Sequence, residues 1–226
     1  MKRNYLALLL FLLPVLCFAG SIQARHKQIL GMYSSAVVGG GPASQTRVPT
    51  GTGFAAGWAS SSATNPWEDC DDTPGACDDN TTYAYRQNSG AIAYFEYTDF
   101  AITSSSVDNV TVNFRCMETI EDSSVRAYLR VGSTNYFGSD KSLTSSYADL
   151  TQAWSTNPKH NAACVGAGDP DACCTGAATG TCAWTEEEVE GGGTYPLQQW
   201  ALEARGMTTG EEVRCTCSSL TVNYQQ

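Results

Sequence analysis

Six carboxylates crowd one short stretch of the chain: Glu68, Asp69, Asp71, Asp72, Asp78 and Asp79. Calcium takes about six to eight oxygens, usually along a regularly spaced loop closed by a bidentate Glu. That spacing is missing. Asp71, Asp72, Asp78 and Asp79 are therefore weak calcium ligands and read first as a solvated acidic turn. Only two histidines exist, His26 and His160. A Ser-His-Asp triad would have to use His160, which follows the turn signal Asn157-Pro158-Lys159 and so reads as a solvated loop residue. No G-x-S-x-G elbow accompanies it. Carboxylate pairs for glycosidic cleavage can be drawn from Glu118, Glu121 and Glu186 to Glu188, but any acidic chain offers such pairs and only separation in space decides. Gly51-Thr52-Gly53 lacks the helix start and later lysine of a phosphate-cradling loop. Trp58, Trp67, Tyr94 and Tyr136 are aromatic candidates for stacking on sugar rings, with core packing as the ordinary alternative. The expectation is a protein that is not an enzyme and has no cofactor, with calcium on the acidic turn as the weaker alternative.

Composition narrows the partners. Of 226 residues, 13 are Lys or Arg and 23 are Asp or Glu, for a formal charge of −10. No basic patch is left over for phosphate contacts, which argues against nucleic acid. Hydrophobic residues make up 42 %, enough to bury a core rather than stay disordered.

Residues 1–19 read as a secretory signal peptide. Lys2 and Arg3 are followed by an apolar run from Leu6 to Leu16, with cleavage most simply placed after Ala19. The run is shorter than the roughly 20 residues of a membrane-spanning helix. No second apolar stretch follows, so no membrane span is expected in the mature chain. The expected location is extracellular or at the cell surface.

Cysteine usage fits export. Cys17 goes with the leader, and Cys70, Cys77, Cys116, Cys164, Cys173, Cys174, Cys182, Cys215 and Cys217 remain. No pair has C-x-x-C spacing, which disfavours zinc. An oxidising compartment favours disulfides among them. Cys70 and Cys77 flank a turn and make the easiest bridge. Cys164, Cys173, Cys174 and Cys182 are expected to pair within a loop at about 156–183, and an odd count leaves at least one thiol free or joined to another chain. Asn80-Thr81-Thr82 and Asn109-Val110-Thr111 match the N-glycosylation pattern.

The elements that must position these residues are short strands. Val110, Val112, Phe114 and Cys116 alternate with polar residues, as do Val125, Ala127, Leu129 and Val131. Ala91 to Ile102 reads as a bent aromatic strand. In the last strand, Val213, Cys215 and Cys217 share one parity and Leu220, Val222 and Tyr224 the other, which calls for a bulge near Ser218-Ser219. Cys116 would then bridge to Cys215 or Cys217 across the core. Thr185 and Glu188 have capping-box spacing for a short helix, and Leu197 to Ala204 reads as a second helical piece. The fold expected is an all-β sandwich of jelly-roll or Ig-like type over 46–226, with one or two helical turns.

Residues 20–45 form a separate extension. Ile29, Leu30, Met32, Tyr33, Ala36 and Val38 lie in an apolar, strand-like segment tethered by Gly39-Gly40-Gly41-Pro42. A lone strand cannot satisfy its own backbone. It pairs either with its own sheet or, by donor-strand exchange, with a neighbouring copy.

Gly57-Trp58, Trp67-Glu68-Asp69, Asp78 to Tyr83, Val110-Thr111-Val112, Leu143 to Tyr147, Thr156-Asn157-Pro158, Ala183-Trp184-Thr185 and the closing Val213 to Tyr224 strand occur in that order. This ordered set resembles a jelly-roll-like β-sandwich module common in phage and environmental proteins of unknown function. It covers about residues 50–226, with a cysteine-rich insertion around Cys164–Cys182 and an extra Gly191–Pro196 stretch as departures. With its detached N-terminal strand, the architecture is also similar to subunits of pilus-like extracellular fibrils. Two functions follow as expectations: a secreted subunit that polymerises with copies of itself through the donated strand, or a secreted carbohydrate-binding or adhesion module whose partners are glycans.

Overall fold

The structure is a computed structural model. It describes residues 41–226 apart from 56, 63–64, 73–74, 105, 121 and 161–181. The expected leader, the donor segment, Glu121, Cys164, Cys173 and Cys174 lie outside the described residues.

Twelve strands are formed by the described residues: β1 (Pro42–Arg47), β2 (Gly51–Ala55), β3 (Ala59–Ser60), β4 (Ala84–Arg86), β5 (Ile92–Glu96), β6 (Ser106–Glu118), β7 (Ser124–Val131), β8 (Thr134–Phe137), β9 (Lys141–Ser142), β10 (Ala148–Trp154), β11 (Leu197–Arg205) and β12 (Val213–Gln225). They build two antiparallel sheets of a jelly-roll-like sandwich. The first runs β10-β6-β12-β4-β3, with β1 also on β12; the second runs β2-β5-β11-β7-β8, with β9 also on β7. β1 begins at Pro42, inside the stretch expected to be a joint, because its backbone pairs with β12 from Leu220 to Gln225.

Alternation explains the two faces. On β6, Val110, Val112, Phe114 and Cys116 enter the core while Thr111, Asn113 and Arg115 stay half-exposed; on β7, Val125, Ala127, Leu129 and Val131 enter it. Trp154, Trp200, Phe95, Leu129 and Leu202 fill the space between the sheets. Trp200 Nε1 donates to Ser218 Oγ at 2.6 Å, joining one sheet to the other through the core.

Leu197 to Ala204 is not helical. Its Leu, Gln, Ala and Glu residues are good helix formers, but propensity is a weak force that tertiary packing overrides. The segment instead becomes β11, because Trp200, Leu202 and Ala204 at every second position complete the core face between β5 and β7. The short helix does form: α1 (Glu186–Val189) has Thr185 Oγ1 accepting from Glu188 N, and the Glu188 side chain accepting from Thr185 N.

The β12 bulge lies between Cys215 and Cys217, earlier than the expected Ser218-Ser219. This shift decides the disulfides. Cys215 stays on the core face opposite Cys116 and bonds to it, with Cα atoms 4.1 Å apart. That bridge ties two neighbouring strands of one sheet rather than crossing the core. Cys217 turns outward, opposite Arg115, and bonds to Cys77. The expected Cys70–Cys77 bridge is therefore absent. Cys70 is a fully buried free thiol whose Sγ donates to Cys215 O at 3.4 Å, and burial pushes its pKa up. Cys182 is also disulfide-bonded.

Candidate functional site: the outer face of the β5-β11-β7-β8 sheet

Alternation puts Tyr94 of β5, Ala201 and Glu203 of β11, and Arg126, Tyr128 and Arg130 of β7 on the face opposite the core. Register then aligns them. Ala201 pairs with Tyr94 on one side and Tyr128 on the other, and Tyr128 pairs with Phe137 of β8. Tyr94, Ala201, Tyr128 and Phe137 thus form one row across four strands, about 14 Å at ordinary strand spacing. The methyl of Ala201 at its centre leaves room for the tyrosine rings to lie over the sheet. The Tyr128 and Phe137 rings stand 5.9 Å apart at 52°.

Polar and charged groups flank the row. On one side Glu203 accepts from Tyr128 OH, Arg126 Nε contacts Asp140 Oδ1 at 2.6 Å, and Arg205 reaches Glu203 and Asp140 at 3.4 and 3.5 Å. The Arg126 guanidinium also sits 4.5 Å above the Phe137 ring and holds the Asp140 carboxyl below its usual range. Burial, followed by the bond to Glu203, pushes the Tyr128 hydroxyl up to about 12. On the other side Arg130 pairs across strands with Asn135. Asn135 Nδ2 donates to Tyr94 OH, and the Arg130 guanidinium lies 5.7 Å from the Tyr94 ring centre. Arg130 Nε and Asn135 Oδ1 are buried and lack a hydrogen-bond partner among the described residues. One is a donor and the other an acceptor, on adjacent strands.

The outer face of the other sheet is also polar, but its groups are turned on one another. Asn113 Nδ2 donates to Thr221 Oγ1 at 3.0 Å, Asn223 Nδ2 to Asn109 Oδ1 at 2.7 Å, and Thr46 and Thr221 hydroxyls meet at 2.9 Å. Its charged end is closed as well: Arg115 holds Asp79 through two bonds and Asp149 through a third. A hollow of about 470 Å³ beside β9 is lined by Glu118, Asp122, Ser123 and Asp140. Two of its carboxylates are already engaged, Glu118 by Ser123 N and Oγ and Asp140 by Arg126.

The residues singled out by sequence scatter. In the acidic stretch, Asp69 is buried and accepts from Ser61 N and Ser62 Oγ, Asp78 accepts from Thr82 and Thr216, and Asp79 is taken by Arg115. Burial and the adjacent Asp72 raise the Asp71 carboxyl. No group of three or more metal-ligating side chains occurs among the described residues. His160 is no free loop residue: its Nε2 lies 2.9 Å from buried Glu188, and its ring meets Tyr195 edge-on. Glu186 accepts from Ser104, and Glu188 caps its helix. Of the aromatic candidates, Trp58 and Tyr136 belong to the core and Trp67 packs against it. Tyr94 alone of the four joins the outer row. Asn80 is exposed in a turn, whereas Asn109 sits in β6 accepting from Asn223 and Thr111. Arg126, Tyr128, Arg130, Phe137 and Glu203 were not singled out, although the Arg-Tyr-Arg alternation opposite the apolar positions of β7 was the visible signal.

No protein-family model matches the chain, and no curated protein matches it. Solved structures that resemble it include two carbohydrate-binding modules. One is the C-terminal CBM6 of LamC, a marine laminarinase from Zobellia galactanivorans: 10 % identity, TM-score 0.38, covering 80 % of this chain and 98 % of that one. The other is the xylan-binding module CBM15, at 13 % identity and TM-score 0.36, covering 81 % and 97 %.

Proposed function

We propose that the chain is a non-catalytic carbohydrate-binding module of an exported protein, and that glycans lie on the outer face of the β5-β11-β7-β8 sheet. One observation carries this reading: an aromatic row across four strands, flanked by half-buried Asn135 and by Arg130, which no carboxylate matches among the described residues. Aromatic rings offer a stacking surface to a sugar face, and guanidinium and amide groups beside them offer hydrogen bonds to its hydroxyls. Tyr94 and Tyr128 are nearly sealed, which leaves half-buried Phe137 as the ring more open to a sugar face. Disulfides within the fold suit the oxidising compartment such a module works in.

Affinity electrophoresis of the mature protein through gels containing soluble polysaccharides tests this. Retardation by at least one polymer, weakened in Asn135→Ala and Phe137→Ala, is the expected result. Unretarded migration through neutral and acidic polymers alike overturns it.

A second reading, a self-assembling fibre subunit, rests on β10. This seven-residue strand pairs with β6 and has no second strand partner among the described residues. An edge of that length accepts a donated strand. The apolar segment from Ile29 to Val38 supplies the donor in this reading. Light scattering of the concentrated mature protein separates the two: polymers that vanish in Leu30→Asp favour the fibre, and a stable monomer removes it.

A further inference from the structure

We propose that the glycan bound on this face carries uronate carboxylates, and that Arg130 recognises them. The inference rests on the carbohydrate-binding reading and narrows its substrate class.

The argument is one of charge. Three arginines project from this face: Arg126, Arg130 and Arg205. Arg126 is matched by Asp140, and Arg205 by Glu203 and Asp140. Glu203 is held further by Tyr128 OH. No carboxylate pairs with Arg130 among the described residues. The remaining acid of the same face, Glu96 at the end of β5, is turned over Gly51 on the edge strand: a Cβ built on Gly51 would stand 3.0 Å from Glu96 Oε2. Arg130 is therefore an uncompensated cation on a chain of net charge −10.

Its surroundings favour a planar anion. The guanidinium lies 5.7 Å from the Tyr94 ring centre, and Asn135 is the partner of Arg130 on the neighbouring strand. A guanidinium offers parallel N–H donors that match a carboxylate bidentately. A uronic acid presents such a carboxylate on its ring. A neutral sugar would leave the positive charge unmatched.

The test uses mature protein in affinity electrophoresis with polygalacturonate, its methyl-esterified form and a neutral glucan. Wild type should bind the free acid at least tenfold more tightly than the ester, a preference that shrinks with added salt. Arg130→Gln should lose about tenfold on the free acid and little on the ester. Arg130→Lys should restore part of the loss, since it returns the charge without the fork. Thermal unfolding of each variant checks that the fold persists. Equal binding of acid and ester, or undiminished acid binding in Arg130→Gln, overturns the uronate inference and leaves the glycan reading standing. Absence of binding to all three polymers, with none in a wider panel, removes both.

Discussion

Trp200 and Ser218 face each other from opposite sheets, and the 2.6 Å bond from the indole Nε1 to Ser218 Oγ lies wholly inside the core. The β12 bulge makes it: once parity shifts past Thr216, Ser218 points inward, where an apolar residue would be the ordinary occupant. Ser218→Ala leaves the indole N–H buried without an acceptor. We expect a loss of about 1–3 kcal/mol in urea unfolding. An unchanged midpoint would contradict the role assigned to this bond.

Arg115 gathers Asp79 and Asp149 on the outer face of the β6-β12 sheet. Its bonds hold the Asp79 carboxyl below the usual range. A carboxyl whose folded pKa is depressed stabilises the fold above its unfolded value, about 3.9, and that contribution fades as pH falls through the lower folded value. Asp79→Asn should therefore lower the melting temperature slightly at pH 7, with a cost below about 1 kcal/mol for so exposed a pair. The gap from wild type should narrow as pH falls below the unfolded value. A gap independent of pH would rule out the ion pair as its cause.

Tyr128 behaves in the opposite sense. Burial and Glu203 raise its hydroxyl to about 12. The neutral phenol is favoured in the fold, so stability is intact below the unfolded value of about 10 and declines as pH climbs from there toward 12. Tyr128→Phe should flatten part of that alkaline decline. It should also cost about 1–3 kcal/mol at neutral pH, because Glu203 loses a bond. Ultraviolet titration of tyrosinate alongside unfolding curves reads both effects.

Cys70 should resist thiol reagents in the native protein. It has no exposed surface, and burial raises its pKa further from the reactive thiolate. Labelling followed by peptide mapping should find it modified only after unfolding. Rapid native labelling would show that the segment around Asp69–Asp71 opens readily.

The bridge between Cys77 and Cys217 joins residues 140 apart in sequence. Replacing both by Ala should cost about 2–5 kcal/mol. The same exchange at Cys116 and Cys215 adds a void between buried strands, so it should cost at least as much. Differential scanning calorimetry of the two double variants compares them, and two unaltered transitions would show that neither bridge restrains the chain.

Much of the sandwich was legible in the chain because alternation is a local property. The inward positions of β6 and β7 could be read off Val110 to Cys116 and Val125 to Val131 directly, and the α1 cap off Thr185 and Glu188. The candidate site was not, apart from Tyr94. Its members come from four separate stretches, and nothing in any one of them states which strand will lie beside it.

What the sequence determined by itself was therefore the class of fold, an acidic and cysteine-bearing β protein with defined inner and outer positions. Tertiary structure decided the rest. A bulge at Thr216, before the Ser218-Ser219 position that parity suggested, sent Cys217 outward to Cys77 and left Cys70 alone. Packing between β5 and β7 overrode helix propensity in β11. Register across β5, β11, β7 and β8 then brought Tyr94, Ala201, Tyr128 and Phe137 into one row, with Arg130 and Asn135 beside it. The physical reason is that side-chain period is written within a strand, whereas partner and register are chosen by the burial of whole faces against segments far away in the chain.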